Sequence, residues 1–122
     1  MKVLIVDDSS TMRKIVHRSL RQSGIELDGV LEASNGKEAL DVLKSEEVDI
    51  ILTDINMPEM NGLELIKAVK MSNETSQIPI IVISTEGADD IVKEAQSLGA
   101  AGFIRKPFTP ENIKERFEEV IG

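Results

Sequence analysis

Lys2-Val3-Leu4-Ile5-Val6-Asp7-Asp8, directly after Met1, holds an apolar run that ends on two carboxylates. A run without polar alternation is the pattern of a strand covered on both faces, as in a parallel sheet between helices. Ile50-Ile51-Leu52-Thr53-Asp54 and Ile80–Ser84 repeat it, so these three segments read as central strands. Residues 29–34 and 101–105 are mixed and shorter and suit the edges. Between the strands, residues 11–22, 36–44, Gly62–Met71, 88–98 and Pro110–Ile121 carry apolar residues at helical spacing, as at Ile113, Phe117, Val120 and Ile121. Their ends are punctuated. Asn35 and Asn61 stand three residues before Glu38 and Glu64, Thr109 precedes Pro110, and Gly24 and Gly99 follow helix ends. Strand and helix alternate, so the expected fold is α/β, a parallel sheet with helices on both faces. Residues 71–77 read as a polar loop.

A length of 122 residues fits a single domain, 1–122, with a core of ordinary size. No run approaches the roughly 18 apolar residues of a membrane span. The first strand begins at residue 2 and leaves no room for a signal peptide, so the expectation is a cytoplasmic protein without a membrane role. The absence of cysteine excludes disulfides, thiolate metal sites and cysteine nucleophiles. Net charge is −8, from 22 acidic and 14 basic residues. That balance works against binding nucleic acid or anionic membrane and points to proteins as partners. Three Phe without Tyr or Trp leave little to stack a flavin or a base.

In open parallel sheets, ligands sit beyond the carboxyl ends of the strands, where the strand order reverses. Asp7, Asp8, Asp54, Ser84 and Lys106 all fall at such ends. Carboxylates gathered at one edge repel one another unless a cation neutralises them, so Asp7, Asp8 and Asp54 predict Mg²⁺ or Mn²⁺, hard ions that prefer oxygen ligands. Asp54 is then suited to attack phosphorus and form an aspartyl phosphate. The Lys106 ammonium can hold phosphoryl oxygens, and the hydroxyl of Ser84 or of Thr85 can donate to another. Phosphoryl transfer asks mainly for positioning and charge stabilisation, which this set supplies.

Taken in order, Asp7-Asp8, the stretch Asp54-Ile55-Asn56-Met57-Pro58-Glu59-Met60-Asn61-Gly62, Ser84-Thr85 and Lys106-Pro107-Phe108 resemble the receiver domain of two-component response regulators. The resemblance runs from Lys2 to the final helix. Asp7-Asp8-Ser9-Ser10-Thr11-Met12-Arg13-Lys14-Ile15-Val16 is further similar to single-domain chemotaxis regulators of the CheY-like type. The resemblance implies a flavodoxin-like, doubly wound five-stranded sheet of order 2-1-3-4-5 with five helices, an order for which CheY is the standing example. It implies that Asp54 is the phosphoacceptor, that Asp8 and Asp54 ligate Mg²⁺ directly, that Asp7 acts through water, and that Asn56 lends its backbone carbonyl. Ser84, placed by alignment from Pro79, is then the switch hydroxyl rather than Thr85. Lys106 is the phosphoryl-binding lysine, in cis linkage to Pro107, and Phe103 is the aromatic that turns inward on activation. Asn56 and Glu86 stand at the positions that tune how long the phosphoryl group survives. Phe103 and Ser84 occupy positions where Tyr and Thr are common.

The implied output face comprises the fourth helix, fifth strand and fifth helix, with Asp90, Lys93, Arg105 and Asn112. The implied partners are a histidine kinase as donor, a flagellar motor switch protein or other protein effector, and a phosphatase. The protein itself is expected to be a monomer, and not an enzyme beyond its own phosphorylation and dephosphorylation. The chain closes on Ile121-Gly122 after its fifth helical segment, so a reversible protein contact is the expected output. A phosphorelay carrier that passes its phosphate to a histidine phosphotransfer protein is the alternative within the family.

Each residue also has an ordinary structural role. Asp7 and Asp8 are candidate caps of the first helix, Asp54 before Met-Pro suits a turn, Lys106 a solvated surface lysine, and Ser84 a strand-end hydroxyl satisfied by backbone. Their joint occurrence is what favours a site. His17, the only histidine, reads as a surface residue, and Met57 and Met60 as residues that shape a loop or touch partners. Two other classes share the aspartates. A metal-dependent phosphatase needs a second acid to protonate a leaving group, which Asn56 cannot be. An interaction module that has lost phosphorylation is expected to lack one of the acidic pair, Asp54 or Lys106, and all are present.

Overall fold

The computed structural model describes residues 1–85 and 87–121. Strands β1 (Lys2–Val6), β2 (Gly29–Ala33), β3 (Ile50–Thr53), β4 (Ile80–Ser84) and β5 (Gly102–Arg105) alternate with helices α1 (Ser10–Gln22), α2 (Gly36–Ser45), α3 (Gly62–Met71), α4 (Asp89–Leu98) and α5 (Pro110–Ile121). The sheet is parallel throughout, in the order β2-β1-β3-β4-β5, as the resemblance implies. The unbroken apolar runs are the three inner strands, and the mixed ones are the two edges.

Period-two geometry sends alternate side chains of each strand to opposite faces. Leu4, Val6, Ile51, Ile80 and Val82 join Ala39 of α2, Leu65, Ile66 and Val69 of α3 and Ala95 of α4 in one core layer. Val3, Ile5, Ile50, Leu52, Ile81 and Ile83 join Val16 and Leu20 of α1 and Ile113 and Phe117 of α5 in the other. This division follows from topology. Right-handed crossovers put α1, which steps from β1 outward to β2, on the face opposite to α2, α3 and α4, which step the other way. The order therefore reverses between β1 and β3, and the carboxyl ends of those strands splay around a crevice.

The caps show how closely local sequence set the boundaries. Asn61 and Glu64 form a complete reciprocal box: the Glu64 N–H donates to Asn61 Oδ1 at 2.9 Å, and the Asn61 N–H donates to Glu64 Oε1 at 3.0 Å. At α2 only half of that pattern forms. Asn35 Oδ1 accepts from the Glu38 N–H at 2.9 Å, but the Glu38 carboxylate turns to the N–H and hydroxyl of Ser34. Thr109 caps α5 through its hydroxyl, which accepts from the Asn112 N–H at 3.1 Å. α1 starts one residue earlier than the periodicity suggests, because Ser9 is its cap and accepts from the Met12 N–H. α4 starts one residue later, because Ala88 is its cap and has no side chain to offer. The 71–77 segment is more than a polar loop. Lys70 Nζ donates to the carbonyls of Ser76 and Ile78 at 3.1 and 2.8 Å, and the Thr75 hydroxyl donates to that of Val69 at 2.7 Å. His17 is half-buried and accepts from Arg21 Nε at 3.1 Å, a local contact within α1.

Candidate functional site

The three aspartates converge because the ladder aligns their strands. Val6 pairs with Thr53, and one residue further the Asp54 N–H donates to the Val6 carbonyl at 3.0 Å. Asp7, Asp8 and Asp54 each present a carboxylate oxygen within 4.8 Å of the others. Lys106 reaches them from β5, where its N–H donates to the Ser84 carbonyl at 2.9 Å and so ties the ends of β4 and β5 together. Its Nζ donates to Asp7 Oδ2 and to Asp54 Oδ2, both at 3.1 Å. The Lys106–Pro107 peptide is cis.

These groups differ in environment although they share a site. The side chains of Asp7, Lys106 and Asp54 are 6%, 10% and 15% exposed, whereas Asp8 is exposed. Asp7 Oδ1 accepts from the Ser9 N–H at 2.9 Å, and Asp54 Oδ1 accepts from the Ile55 N–H at 2.7 Å. Among the described residues, no donor meets the Asp8 carboxylate. Burial pushes the Asp7 carboxyl above its ordinary range, with a further push from Asp54, against the pull of the Ser9 N–H and the Lys106 ammonium. One ammonium among three carboxylates leaves an excess of negative charge in a partly desolvated crevice, and the donors are hard oxygens. That combination fits a divalent cation such as Mg²⁺ or Mn²⁺.

The β3–α3 loop shapes the floor of the crevice. The Gly62 N–H donates to the Ile55 carbonyl at 2.8 Å, and α3 starts so close to β3 that a Cβ at residue 62 would lie 2.1 Å from the Asp54 carbonyl oxygen. Met57 and Met60 shape this loop from inside: Met57 is buried in the core, and Met60 packs over Gly36 at the start of α2. The Gly36 N–H donates to the Met60 carbonyl at 3.0 Å. Glu59 is held at φ +68°, the left-handed region.

Ser84 is wholly buried at the end of β4, and Thr85 is exposed beside it. Phe103, opposite Val82 on β5, is half-buried against the α2/α3/α4 core layer. Asn56 is exposed at the mouth of the crevice. Glu86 lies outside the described residues. Asp90, Lys93, Arg105 and Asn112 are all exposed. Arg105 Nη2 donates to the Gly87 carbonyl at 2.7 Å, and Asn112 Oδ1 accepts from the Thr109 N–H at 3.0 Å, closing the reciprocal cap of α5. The roles of three residues were not legible in the sequence. Arg13 donates to the Asp7 carbonyl, the Thr53 hydroxyl donates to the Asp54 carbonyl at 2.8 Å, and Gly62 permits the close approach of α3. The first two act on backbone oxygens, which no sequence pattern marks.

A parallel sheet with a switch-point crevice, three carboxylates and a bridging lysine defines a class, and comparison with known proteins names it. The chain belongs to the response regulator receiver domain family, whose model matches residues 3–118. Within that family it is of the CheY-like type. It is 50% identical to a chemotaxis protein CheY homolog of Campylobacter jejuni, over all of this chain and 93% of that protein. It is 48% identical to the chemotaxis protein CheY1 of Helicobacter pylori, over all of this chain and 98% of that one. Among solved structures, chemotaxis protein CheY4 of Vibrio cholerae superposes with a TM-score of 0.86 at 38% identity, covering 98% of this chain and 97% of that one. CheY in a CheX–CheY–BeF₃–Mg²⁺ complex from Borrelia burgdorferi gives 0.88 at 29% identity, covering 100% and 90%.

Proposed function

We propose that this protein is a chemotaxis response regulator that takes a phosphoryl group onto Asp54 from a histidine kinase and thereby changes its affinity for a motor switch protein. The observation that carries the reading is the Lys106 ammonium, 3.1 Å from both Asp7 and Asp54, in a crevice that also gathers Asp8. Asp54 is the nucleophile: its oxygen forms the bond to phosphorus as the bond to the donor group breaks, with the donor leaving as the other product. Lys106 stabilises charge on the phosphoryl oxygens and can exchange its carboxylate contacts for them without leaving the crevice. Asp7, Asp8, Asp54 and the Asn56 carbonyl would hold Mg²⁺, or Mn²⁺ in its place. A bound divalent cation supplies charge neutralisation for the carboxylates and the incoming phosphate. Nothing in this set protonates a diverse leaving group, so turnover is confined to the protein's own phosphorylation and dephosphorylation.

The phosphoryl dianion draws the Ser84 hydroxyl towards it, and Phe103, half-buried on the neighbouring strand, turns into the space released. The readout lies on α4, β5 and α5, around Asp90, Lys93, Arg105 and Asn112. Asn56 and Glu86 govern how readily water reaches the phosphoryl group, and a phosphatase partner acts at the same mouth. Residues 1–122 form one receiver module that works as a cytoplasmic monomer. The relatives' names place them in chemotaxis, and identity of about half over the whole chain is the support for carrying that role over. The test is affinity for an N-terminal motor-switch peptide from the source organism, with and without beryllofluoride. Tightening by severalfold, about 1–3 kcal/mol of coupling, is expected. Unchanged affinity together with ready transfer of phosphate to a histidine phosphotransfer domain would establish a phosphorelay role instead.

A further inference from the structure

Asp7 and Asp54 are each fixed by two protein donors, but the Asp8 carboxylate has none among the described residues. Its place in the cluster therefore depends on the backbone that carries it. Arg13 grips that backbone. From α1 its Nη1 donates to the Asp7 carbonyl at 2.6 Å, the oxygen of the peptide that joins Asp7 to Asp8. The Asp7 N–H makes the last β1–β2 bond, donating to the Ala33 carbonyl at 3.1 Å, and its carbonyl, one peptide further on, takes Arg13 as its partner. The guanidinium is itself anchored, because Nε donates to Glu32 on edge strand β2 at 2.7 Å. Arg13 is mostly covered, with a 17% exposed side chain, and Glu32 is 42% exposed.

We infer that Arg13, held by Glu32, is a positioning residue for the cation site: it fixes the Asp7–Asp8 peptide so that the Asp8 carboxylate faces Asp7 and Asp54. This rests on the divalent-cation reading of the cluster. The fork of the guanidinium is what the task requires, because one side chain must meet a carbonyl and a carboxylate in fixed directions, which a lysine point charge cannot do. An outer residue that orients metal ligands commonly changes affinity by about 10–100-fold when removed.

The test is Mn²⁺ binding, read from the paramagnetic resonance signal of free Mn²⁺ at fixed pH and salt. It compares wild type with Asp8→Ala, Arg13→Lys, Arg13→Met, Glu32→Ala and the Arg13→Met/Glu32→Ala double variant, each checked by circular dichroism. Wild type should bind and Asp8→Ala should bind far more weakly; a wild type that does not bind Mn²⁺ overturns the cation site and this inference together. With the site established, Arg13→Lys and Arg13→Met should each weaken Mn²⁺ by about tenfold. Glu32→Ala should weaken it less, and the double variant should match Arg13→Met alone, since Glu32 acts through Arg13. Loss of a nearby positive charge by itself tightens cation binding, so unchanged or tighter Mn²⁺ in Arg13→Met overturns the inference while leaving the cation site intact. Losses that multiply in the double variant overturn it too. Arg13→Lys keeps the charge and the stem, so it decides the matter if Arg13→Met does not hold its fold.

Discussion

Gly62→Ala places a single methyl group where the fold has no room for one, and the displaced atoms belong to the residue proposed to carry the phosphate. The added Cβ would lie 2.1 Å from the Asp54 carbonyl oxygen and 2.9 Å from Ile55 Cα, whereas ordinary contact begins at 3.4 Å, so the shortfall at Asp54 is 3.4 − 2.1 = 1.3 Å. Both obstacles are backbone, and no side chain can swing aside. Relief requires α3 to lift from β3, which stretches the 2.8 Å bond from the Gly62 N–H to the Ile55 carbonyl. Overpacking costs about 1–3 kcal/mol, and the lost hydrogen bond about 0.5–1.5 kcal/mol. The reduced backbone freedom of alanine in the unfolded chain returns about 0.4–1 kcal/mol. The net loss is about 1–4 kcal/mol. Unfolding entropy of about 2.1 cal/mol/K per residue over 122 residues makes 1 kcal/mol worth about 4 °C, so the melting temperature should fall by about 4–16 °C. A shift of about 1 Å at a nucleophile can cost about 100-fold in rate, so phosphorylation by acetyl phosphate should slow well beyond what residual unfolding explains. Gly29→Ala is the control: its Cβ would meet only Lys2 side-chain carbons at 3.7 Å or more, and stability should stay within about 0.5 kcal/mol. A Gly62→Ala protein that melts within about 2 °C of wild type and phosphorylates normally would refute the close-approach argument.

Three further outcomes follow from the same geometry. Burial raises the Asp7 carboxyl in the folded state, so its contribution to stability is fully present below its unfolded value of 3.8 and is lost as pH rises through the raised folded value. Chemical denaturation in EDTA should accordingly find Asp7→Asn gaining on wild type as pH climbs through that window; saturating Mg²⁺ at about 100 times its Kd should then stabilise wild type by about 2.7 kcal/mol and the variant far less. Lys106→Met strips both carboxylates of their shared ammonium, so in EDTA it should lose about 1.5–3 kcal/mol by urea melts. Mg²⁺ should recover more stability for this variant than for wild type, because the cation replaces the missing charge. Glu59→Asn relieves a left-handed residue with φ +68°, while the Lys37–Glu59 pair it removes is a 3.7 Å contact of exposed groups; a gain of about 0.5 kcal/mol is expected, and a loss would show that the pair matters more than the backbone.

The sheet was legible because burial on both faces leaves a mark that few other structures share. Val3–Val6 and Ile80–Ser84 have no polar face, and only an inner parallel strand needs none. The aspartate cluster was legible for a related reason: charge placed directly after such a run must emerge at the carboxyl edge of the sheet. Boundaries were less so at α4, where the Ala88 cap is silent, and at α1, where Ser9 caps one residue earlier than the periodicity marks. The role of Arg13 was hidden because its partners are a backbone carbonyl and a carboxylate on edge strand β2, and neither leaves a pattern at fixed spacing. The same holds for Lys70, whose ammonium holds two loop carbonyls and whose burial pulls its pKa below the usual lysine value. Gly62 was visible as part of a motif, but the reason for glycine there is the distance between α3 and β3, a property of the folded backbone.

Asp54 is proposed to accept a phosphoryl group in a reaction that needs the neighbouring acids and a divalent cation. Intact mass spectrometry after incubation with acetyl phosphate and Mg²⁺ tests it directly. One phosphate adduct is expected on wild type and none on Asp54→Asn or on wild type in EDTA, with Asp8→Ala strongly impaired. An adduct on the Asn variant, or undiminished labelling in EDTA, would contradict it.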